Sequence, residues 1–96
     1  MKILLVGAGG VGNALAKLLA TRDFYEHVIV ADYDTSRAEG VLDWIKQRFP
    51  EARPRFSAEH IDASDPKNVT ALAQKHSASV VMNAVEPAFV LAPPRS

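Results

Sequence analysis

Three glycines near the N-terminus have the spacing most suggestive of chemistry. Residues 7 to 12 read Gly-Ala-Gly-Gly-Val-Gly and match G-x-G-x-x-G. They follow the apolar residues 3 to 6 directly, and a helical pattern begins after them, which is the context in which this motif binds a pyrophosphate. Gly7 permits a tight turn, Gly9 leaves room for the phosphates, and Gly12 lets the helix pack closely on the sheet. The first amides of the helix, with its positive dipole end, would bind the anion.

Asp32 is the second candidate group. It comes twenty residues after Gly12, directly after the apolar residues 28 to 31, where a dinucleotide fold places a carboxylate on the ribose hydroxyls of adenosine. A carboxylate there favours NAD, because it would repel a 2′-phosphate. Arg37 opposes that preference, since its guanidinium could stack on adenine or pair with a 2′-phosphate. We therefore expect NAD with a modest preference over NADP.

Each of these features also has a purely structural alternative. The glycines could form a strand-to-helix turn that binds no ligand. Asp32 could end a strand or begin an Asx turn, and Arg37 could be a solvated helix residue. The combined spacing favours the functional interpretation of the glycines and Asp32, and leaves Arg37 evenly balanced.

Size and composition limit what the chain can be. Its 96 residues, 48% hydrophobic and 23% charged, suit one small globular domain. Eleven basic and eleven acidic residues give a net charge of zero, so nothing favours nucleic acid or an acidic membrane surface as a partner. The absence of cysteine excludes disulfides and thiol catalysis and fits a reducing compartment such as the cytoplasm. No apolar run approaches the roughly 18 residues of a membrane span, so we expect no signal and no membrane anchor.

Alternating strand and helix patterns predict the fold. Apolar runs predict strands near residues 2 to 6, 27 to 31, 55 to 60 and 79 to 83. Helical patterns separate these runs. The predicted fold class is therefore α/β, a partial Rossmann-like three-layer sandwich. Its parallel sheet has about four strands in the order 3-2-1-4, with helices on both faces.

The three predicted helices differ in their start signals. The first has apolar residues at positions 11, 14, 15, 18 and 19, which predict its buried stripe. In the second, Ser36 and Glu39 resemble a capping box, and Pro50 stops the helix. In the third, Asp65 is the expected N-cap with Pro66 at the first helical position.

Four segments together resemble the N-terminal cofactor domain of the saccharopine dehydrogenase-like family. They read VGAGGVGNALAKLLA, VIVADYDTSRAE, IDASD and VVMNAVEP, and the resemblance covers nearly the whole chain. It implies binding of a nicotinamide dinucleotide and reversible oxidation at a carbon bearing nitrogen, in an amino acid or secondary amine. It also implies that most substrate contacts come from a second domain.

The resemblance further implies roles for the ends of the last two strands. Asp62 and Ala63 would border the adenine, and Asn83, Ala84 and Val85 would line the nicotinamide side of the cofactor. Asp62 could instead be a turn carboxylate, and Asn83 could cap a loop. The full set of candidate cofactor-binding residues is Gly7, Ala8, Gly9, Gly10, Val11, Gly12, Asp32, Tyr33, Arg37, Asp62, Ala63, Asn83, Ala84 and Val85.

Other chemistry is not indicated by the sequence. His27, His60 and His76 lack metal-ligand spacing, so no metal is expected, and no catalytic acid or base is identifiable. Residues 1 to 96 are expected to form one domain with a loose tail over 92 to 96. We expect this domain to be the N-terminal part of a longer enzyme and to be inactive without a C-terminal substrate domain.

The sequence leaves alternatives open for the oligomeric state and for the function. The exposed edge of the fourth strand could pair with a second copy to form a homodimer. In place of an oxidoreductase part, the chain could be a regulatory nucleotide sensor, like the cytosolic domains that gate potassium transport. It could also be an inert structural fragment with an incomplete site.

Overall fold

A computed structural model describes residues 1–84, and Val85 and the predicted tail lie outside the described residues. Strands and helices alternate along the chain. They are β1 (Lys2–Val6), α1 (Gly10–Leu19), β2 (His27–Asp32), α2 (Thr35–Arg48), β3 (Phe56–His60), α3 (Pro66–Lys75) and β4 (Val80–Asn83), with one 3-10 turn (Arg53–Arg55) before β3. The sheet is parallel with strand order β3-β2-β1-β4. This confirms the predicted fold class and sheet order.

The two central strands bury side chains on both faces of the sheet. From β1, Ile3 and Leu5 pack in one cluster with side chains of α1 and α2, while Leu4 and Val6 pack in a second cluster with Leu72 of α3. These four β1 side chains are at most 1% exposed, and burying each contributes about 1.5 to 3 kcal/mol. The uninterrupted apolar run of β1 is thus explained by a layer of helices on each side.

The rotation of α1 differs from the prediction. Val11 and Leu18 were placed on the buried stripe but are 45% and 51% exposed, and Ala14 is exposed as well. The residues that α1 buries fully are Gly12, Ala16 and Leu19. The cause is the glycine: α1 is turned so that Gly12 faces the backbone after β1, and residues four and seven positions later share that face.

The start of α2 also differs from the prediction. The N-cap is Asp34, whose Oδ1 accepts hydrogen bonds from the Ser36 amide at 3.0 Å and the Ser36 hydroxyl at 2.5 Å. The predicted capping box of Ser36 and Glu39 is wrong, because an ionised carboxylate two residues earlier is the stronger acceptor for the first amides of the helix. These bonds, the side-chain bond foremost, lower the pKa of Asp34. The predicted N-cap of α3 is confirmed, since Asp65 Oδ1 accepts from the Lys67 amide at 2.9 Å.

Stability is expected to fall with acidification because of His27. Burial lowers the pKa of His27, and His76 and Lys2 lower it further. Below the unfolded value of about 6.5 the unfolded chain therefore binds more protons at this site than the folded chain. The stability that comes from burying neutral His27 is therefore complete above about pH 6.5. It is lost as the pH falls through the lower pKa of the folded state. His27 also hydrogen-bonds Ser57 through Nε2 at 2.9 Å, a bond that glutamine could retain.

The corresponding experiment compares wild type with His27→Gln in thermal unfolding between pH 7.5 and 5. We expect a smaller drop in melting temperature for the variant. Parallel curves for the two proteins over this range would contradict the assignment.

The helices described within residues 1–84 are too short or too polar to cross a bilayer.

Candidate functional site

The glycine loop forms a tight turn between β1 and α1. Gly7 has φ of 100°, a conformation that favours glycine. A Cβ at Gly12 would lie 1.6 Å from the Gly7 carbonyl oxygen, so only glycine permits the helix to approach this closely. Gly9 is the N-cap of α1, and no side chain caps the helix. The amides of residues 10 to 12, which cannot bond within the helix, are thus available to an anion.

Asp32 ties the glycine loop to the loop after β2. Its Oδ2 accepts from the Ala8 amide at 2.7 Å, and its Oδ1 accepts from the Asp34 amide at 2.8 Å. Each carboxylate oxygen can accept about two hydrogen bonds, so both keep capacity for a hydroxyl donor. The carboxylate therefore stands beside the loop, where it can both brace the turn and bind a ribose.

An exposed aromatic pair lies at the same ends of β2 and β3. Tyr33 follows Asp32 and is 71% exposed. Its ring centroid lies 5.3 Å from that of His60, at an angle of 49°. Exposed ring faces next to a carboxylate that has free acceptor capacity are able to stack on a base.

Asp62 binds within its own loop after β3. Its Oδ1 accepts from the Ser64 amide at 3.0 Å and the Ser64 hydroxyl at 2.6 Å, and its carbonyl oxygen accepts from Asn68. The two hydrogen bonds from Ser64, chiefly that of its hydroxyl, lower the pKa of Asp62. The turn-carboxylate alternative thus describes its observed contacts, while its contact with adenine stays a prediction. Ala63 is partly buried against the second cluster, which contains Leu4, Val6 and Leu72.

The end of β4 lies beside the glycine loop. Asn83 pairs in register with Val6, and the Ala84 amide donates to the Val6 carbonyl oxygen at 2.7 Å. Ala84 is buried, and its Cβ would lie 3.5 Å from a Cβ at Gly12. The structure therefore brings Ala84 next to the turn, while its contact with the cofactor stays a prediction.

A groove runs from the glycine loop between α1 and α2. It has a volume of about 420 Å³, and its lining includes Ala8, Gly9 and Gly10 together with Lys17 and Arg37. Lys17 is not among the residues predicted to bind the cofactor. Its spacing from Gly10 and Asn13, seven and four residues, places it on the same helical face and could have identified it.

Metal chemistry finds no support in the described part of the chain. Residues 1–84 contain no group of three or more histidine or acidic side chains that could hold a metal ion. His27, His60 and His76 have separate partners in Ser57, Tyr33 and Glu59. The available chemistry is anion binding by amides and cations, with one carboxylate for hydroxyl groups.

A parallel sheet in this strand order, with a bare helix N-terminus after β1 and a carboxylate on the last residue of β2, defines a dinucleotide-binding domain of the Rossmann class. The family model described as saccharopine dehydrogenase NADP binding domain matches residues 3–92. The chain belongs to this family, as its resemblance in sequence implied. Its cofactor is NAD or NADP.

Named relatives agree with this assignment. The quinate/shikimate dehydrogenase (NAD(+)) of Corynebacterium glutamicum strain R is 41% identical over 71 residues, which are 74% of this chain and 23% of that protein. A solved quinate dehydrogenase from Corynebacterium glutamicum in complex with NAD is similar with 38% identity and TM-score 0.58, over 90% of this chain and 27% of that one. This chain thus spans about a quarter of these dehydrogenases.

A third similarity concerns the fold alone. Menthone neomenthol reductase from Mentha piperita is 23% identical with TM-score 0.69, over 88% of this chain and 31% of that structure. The two proteins therefore share their fold, and a sequence identity this low indicates nothing about a shared function.

Proposed function

We propose that this chain is the cofactor-binding part of an oxidoreductase that transfers hydride to or from NAD, with NADP as the weaker alternative. The observation that carries the proposal is the bare N-terminus of α1 beside the carboxylate of Asp32. The amides of residues 10 to 12 would hold the pyrophosphate, and Asp32 would hold the ribose of adenosine. Tyr33 would stack on the adenine.

The preference for NAD is supported by charge. The Asp32 carboxylate accepts two backbone hydrogen bonds, and a carboxylate repels a 2′-phosphate nearby. The name of the Corynebacterium glutamicum relative also specifies NAD(+). Arg37 acts in the opposite direction, which keeps the preference modest.

The substrate contacts are proposed to come from the remainder of a longer protein, because this chain covers 23% of its dehydrogenase relative. The resemblance in sequence implies oxidation at a carbon bearing nitrogen, in an amino acid or a secondary amine. The named relatives are instead dehydrogenases of quinate and shikimate. No catalytic residue is assigned within residues 1–84.

We also propose a cytoplasmic location for the protein. At the outer edge of β4, we propose that the strand pairs with the same strand of a second copy.

Calorimetric titration of the chain with NAD and with NADP tests this function. We expect measurable heat and a raised melting temperature with NAD at millimolar concentration. Adenosine alone, which lacks the pyrophosphate, is the control and should bind far more weakly. No heat and no thermal protection with either dinucleotide would refute the proposal.

Hydride chemistry needs a separate measurement. A full-length protein carrying this domain should change the absorbance of NADH when supplied with its substrate. Binding of NAD without turnover on amine, amino acid or hydroxy acid substrates would instead favour the regulatory nucleotide sensor.

A further inference from the structure

The solvent-exposed side of α1 is apolar. Its exposed residues after Gly10 are Val11, Ala14 and Leu18, and Val11 and Leu18 are 45% and 51% exposed. In α2, by contrast, every exposed residue except Gly40 is polar or charged. A helix whose outer side meets only water normally has polar residues there. The exposed side of α1 therefore has the composition of a surface that another element covers.

The larger of these side chains lie on the flank of α1 that is turned away from α2. Asn13 and Lys17 line the groove toward α2. Val11 and Leu18 are seven residues apart and share the opposite flank with Leu15, which is partly buried. We call Val11, Leu15 and Leu18 the outer flank of α1. It contains no charged side chain.

The outer flank lies above the free edge of β4. A Cβ at Gly12 would lie 2.6 Å from the carbonyl carbon of Gly7, which follows β1, and 3.5 Å from the Cβ of Ala84, which follows β4. The helix α1 is therefore placed above the boundary between these two strands. Val80 and Met82 of β4 pack only partly buried against the cluster that α1 covers. Within residues 1–84, β4 is the last strand on this side of the sheet.

Pairing of two β4 edges about a two-fold axis would bring two outer flanks together. Neighbouring strands in a sheet lie about 4.8 Å apart. Because α1 lies above the boundary between β1 and β4, two such helices would be separated by about two strand spacings, or roughly 10 Å. Helices pack at about 8 to 10 Å. The two helices would run antiparallel, so that Leu18 of the partner subunit would approach the N-terminal half of α1.

We infer that the outer flank of α1 is an interface with a second copy of this chain. The inference extends the proposed pairing of β4 and does not depend on the binding of a dinucleotide. The contact is isologous, since the same residues of both copies meet across the two-fold axis. Burial of their apolar side chains stabilises the dimer beyond the hydrogen bonds of the paired strands. The partner thus packs against the helix whose first amides form the proposed pyrophosphate site.

Sedimentation of the chain over a range of concentrations tests this interface. Wild type is expected to form a dimer that dissociates on dilution. Leu18→Glu should weaken dimerisation at least about a hundredfold, because the two-fold axis brings a carboxylate from each copy into an apolar contact. Ala71→Glu is the matched control. Ala71 is exposed on α3, which packs in the cluster on the other face of the sheet, and it does not line the cavity between α3 and β4. This variant should dimerise as wild type does.

The outcomes separate the interface from the proposed function. A wild type that stays monomeric up to about 1 mM overturns the interface and leaves the outer flank to another part of a longer protein. A dimer that Leu18→Glu weakens no more than Ala71→Glu does also overturns it, and leaves the pairing of β4 alone. Calorimetric titration of the same samples with NAD measures the function independently. A monomer that binds NAD refutes only the interface, and a dimer that binds neither NAD nor NADP refutes only the function.

Folding of the variants is checked by thermal unfolding at a concentration where wild type is monomeric. Because Leu18 is about half exposed in a single copy, Leu18→Glu should melt close to wild type under these conditions. Leu18→Gln replaces it if the glutamate variant does not fold, since glutamine removes the apolar contact without adding charge. A dimer of Leu18→Gln as tight as that of wild type would equally overturn the interface.

Discussion

Gly12→Ala is expected to destabilise the domain by about 3 kcal/mol or more. A Cβ at this position would lie 1.6 Å from the Gly7 carbonyl oxygen and 2.6 Å from its carbonyl carbon. These are backbone atoms of a turn held between β1 and β2, where the Gly7 amide donates to Ala31 at 2.7 Å, so they cannot move as a side chain would. Because a small domain has only about 5 to 15 kcal/mol of stability, most of it would be at risk. Urea unfolding of wild type and variant measures the loss.

Gly10→Ala is the matched control for that experiment. Gly10 belongs to the same loop, but a Cβ there meets no atom within 4 Å. The substitution should leave stability unchanged or raise it by up to about 1 kcal/mol, because alanine is the better helix former. Equal unfolding midpoints for the two variants would show that the close approach at Gly12 does not limit stability.

The sheet was predictable because each central strand is an uninterrupted apolar run that is visible in the sequence. The apolar runs before Gly7 and Asp32 indicate strands that other elements cover on both faces of the sheet. Strands that alternate with helices imply a parallel sheet. The observed range of β3, Phe56–His60, likewise lies within the predicted residues 55 to 60. The rotation of α1 was not predictable from apolar spacing. It depends on one glycine meeting one carbonyl group, and that contact leaves Val11 and Leu18 exposed.

The candidate site was predictable only in part, for a related reason. The glycine spacing and Asp32 have a fixed relation to β1 and β2, so the sequence was sufficient to place them. The pairing of Tyr33 with His60 joins two different strands, and the groove that contains Lys17 exists only between two packed helices. Local contacts also compete with ligand roles, as in Asp62, whose carboxylate accepts hydrogen bonds from Ser64. The contacts between different elements, unlike this local one, cannot be read from spacing along the chain.

Gly9→Val is expected to weaken NAD binding at least about a hundredfold, a loss of about 2.7 kcal/mol, while costing the fold far less. Gly9 has φ of −77° and ψ of −156° as the N-cap of α1, an extended conformation that residues with side chains can adopt. Valine is a poorer N-cap, which costs about 1 kcal/mol. Its side chain, however, would occupy the space that the proposed pyrophosphate needs to reach the amides of residues 10 to 12. The same steric conflict applies to NADP, so both affinities should fall together.

Calorimetry and thermal unfolding on the same sample separate the two effects. Ala14→Val is the control, because it adds the same side chain to an exposed position of α1 away from the loop, and it should bind NAD as wild type does. If folded Gly9→Val retains NAD affinity within about threefold of wild type, the pyrophosphate does not lie against this backbone. The bare amides at the start of α1 would then have to serve another ligand or none.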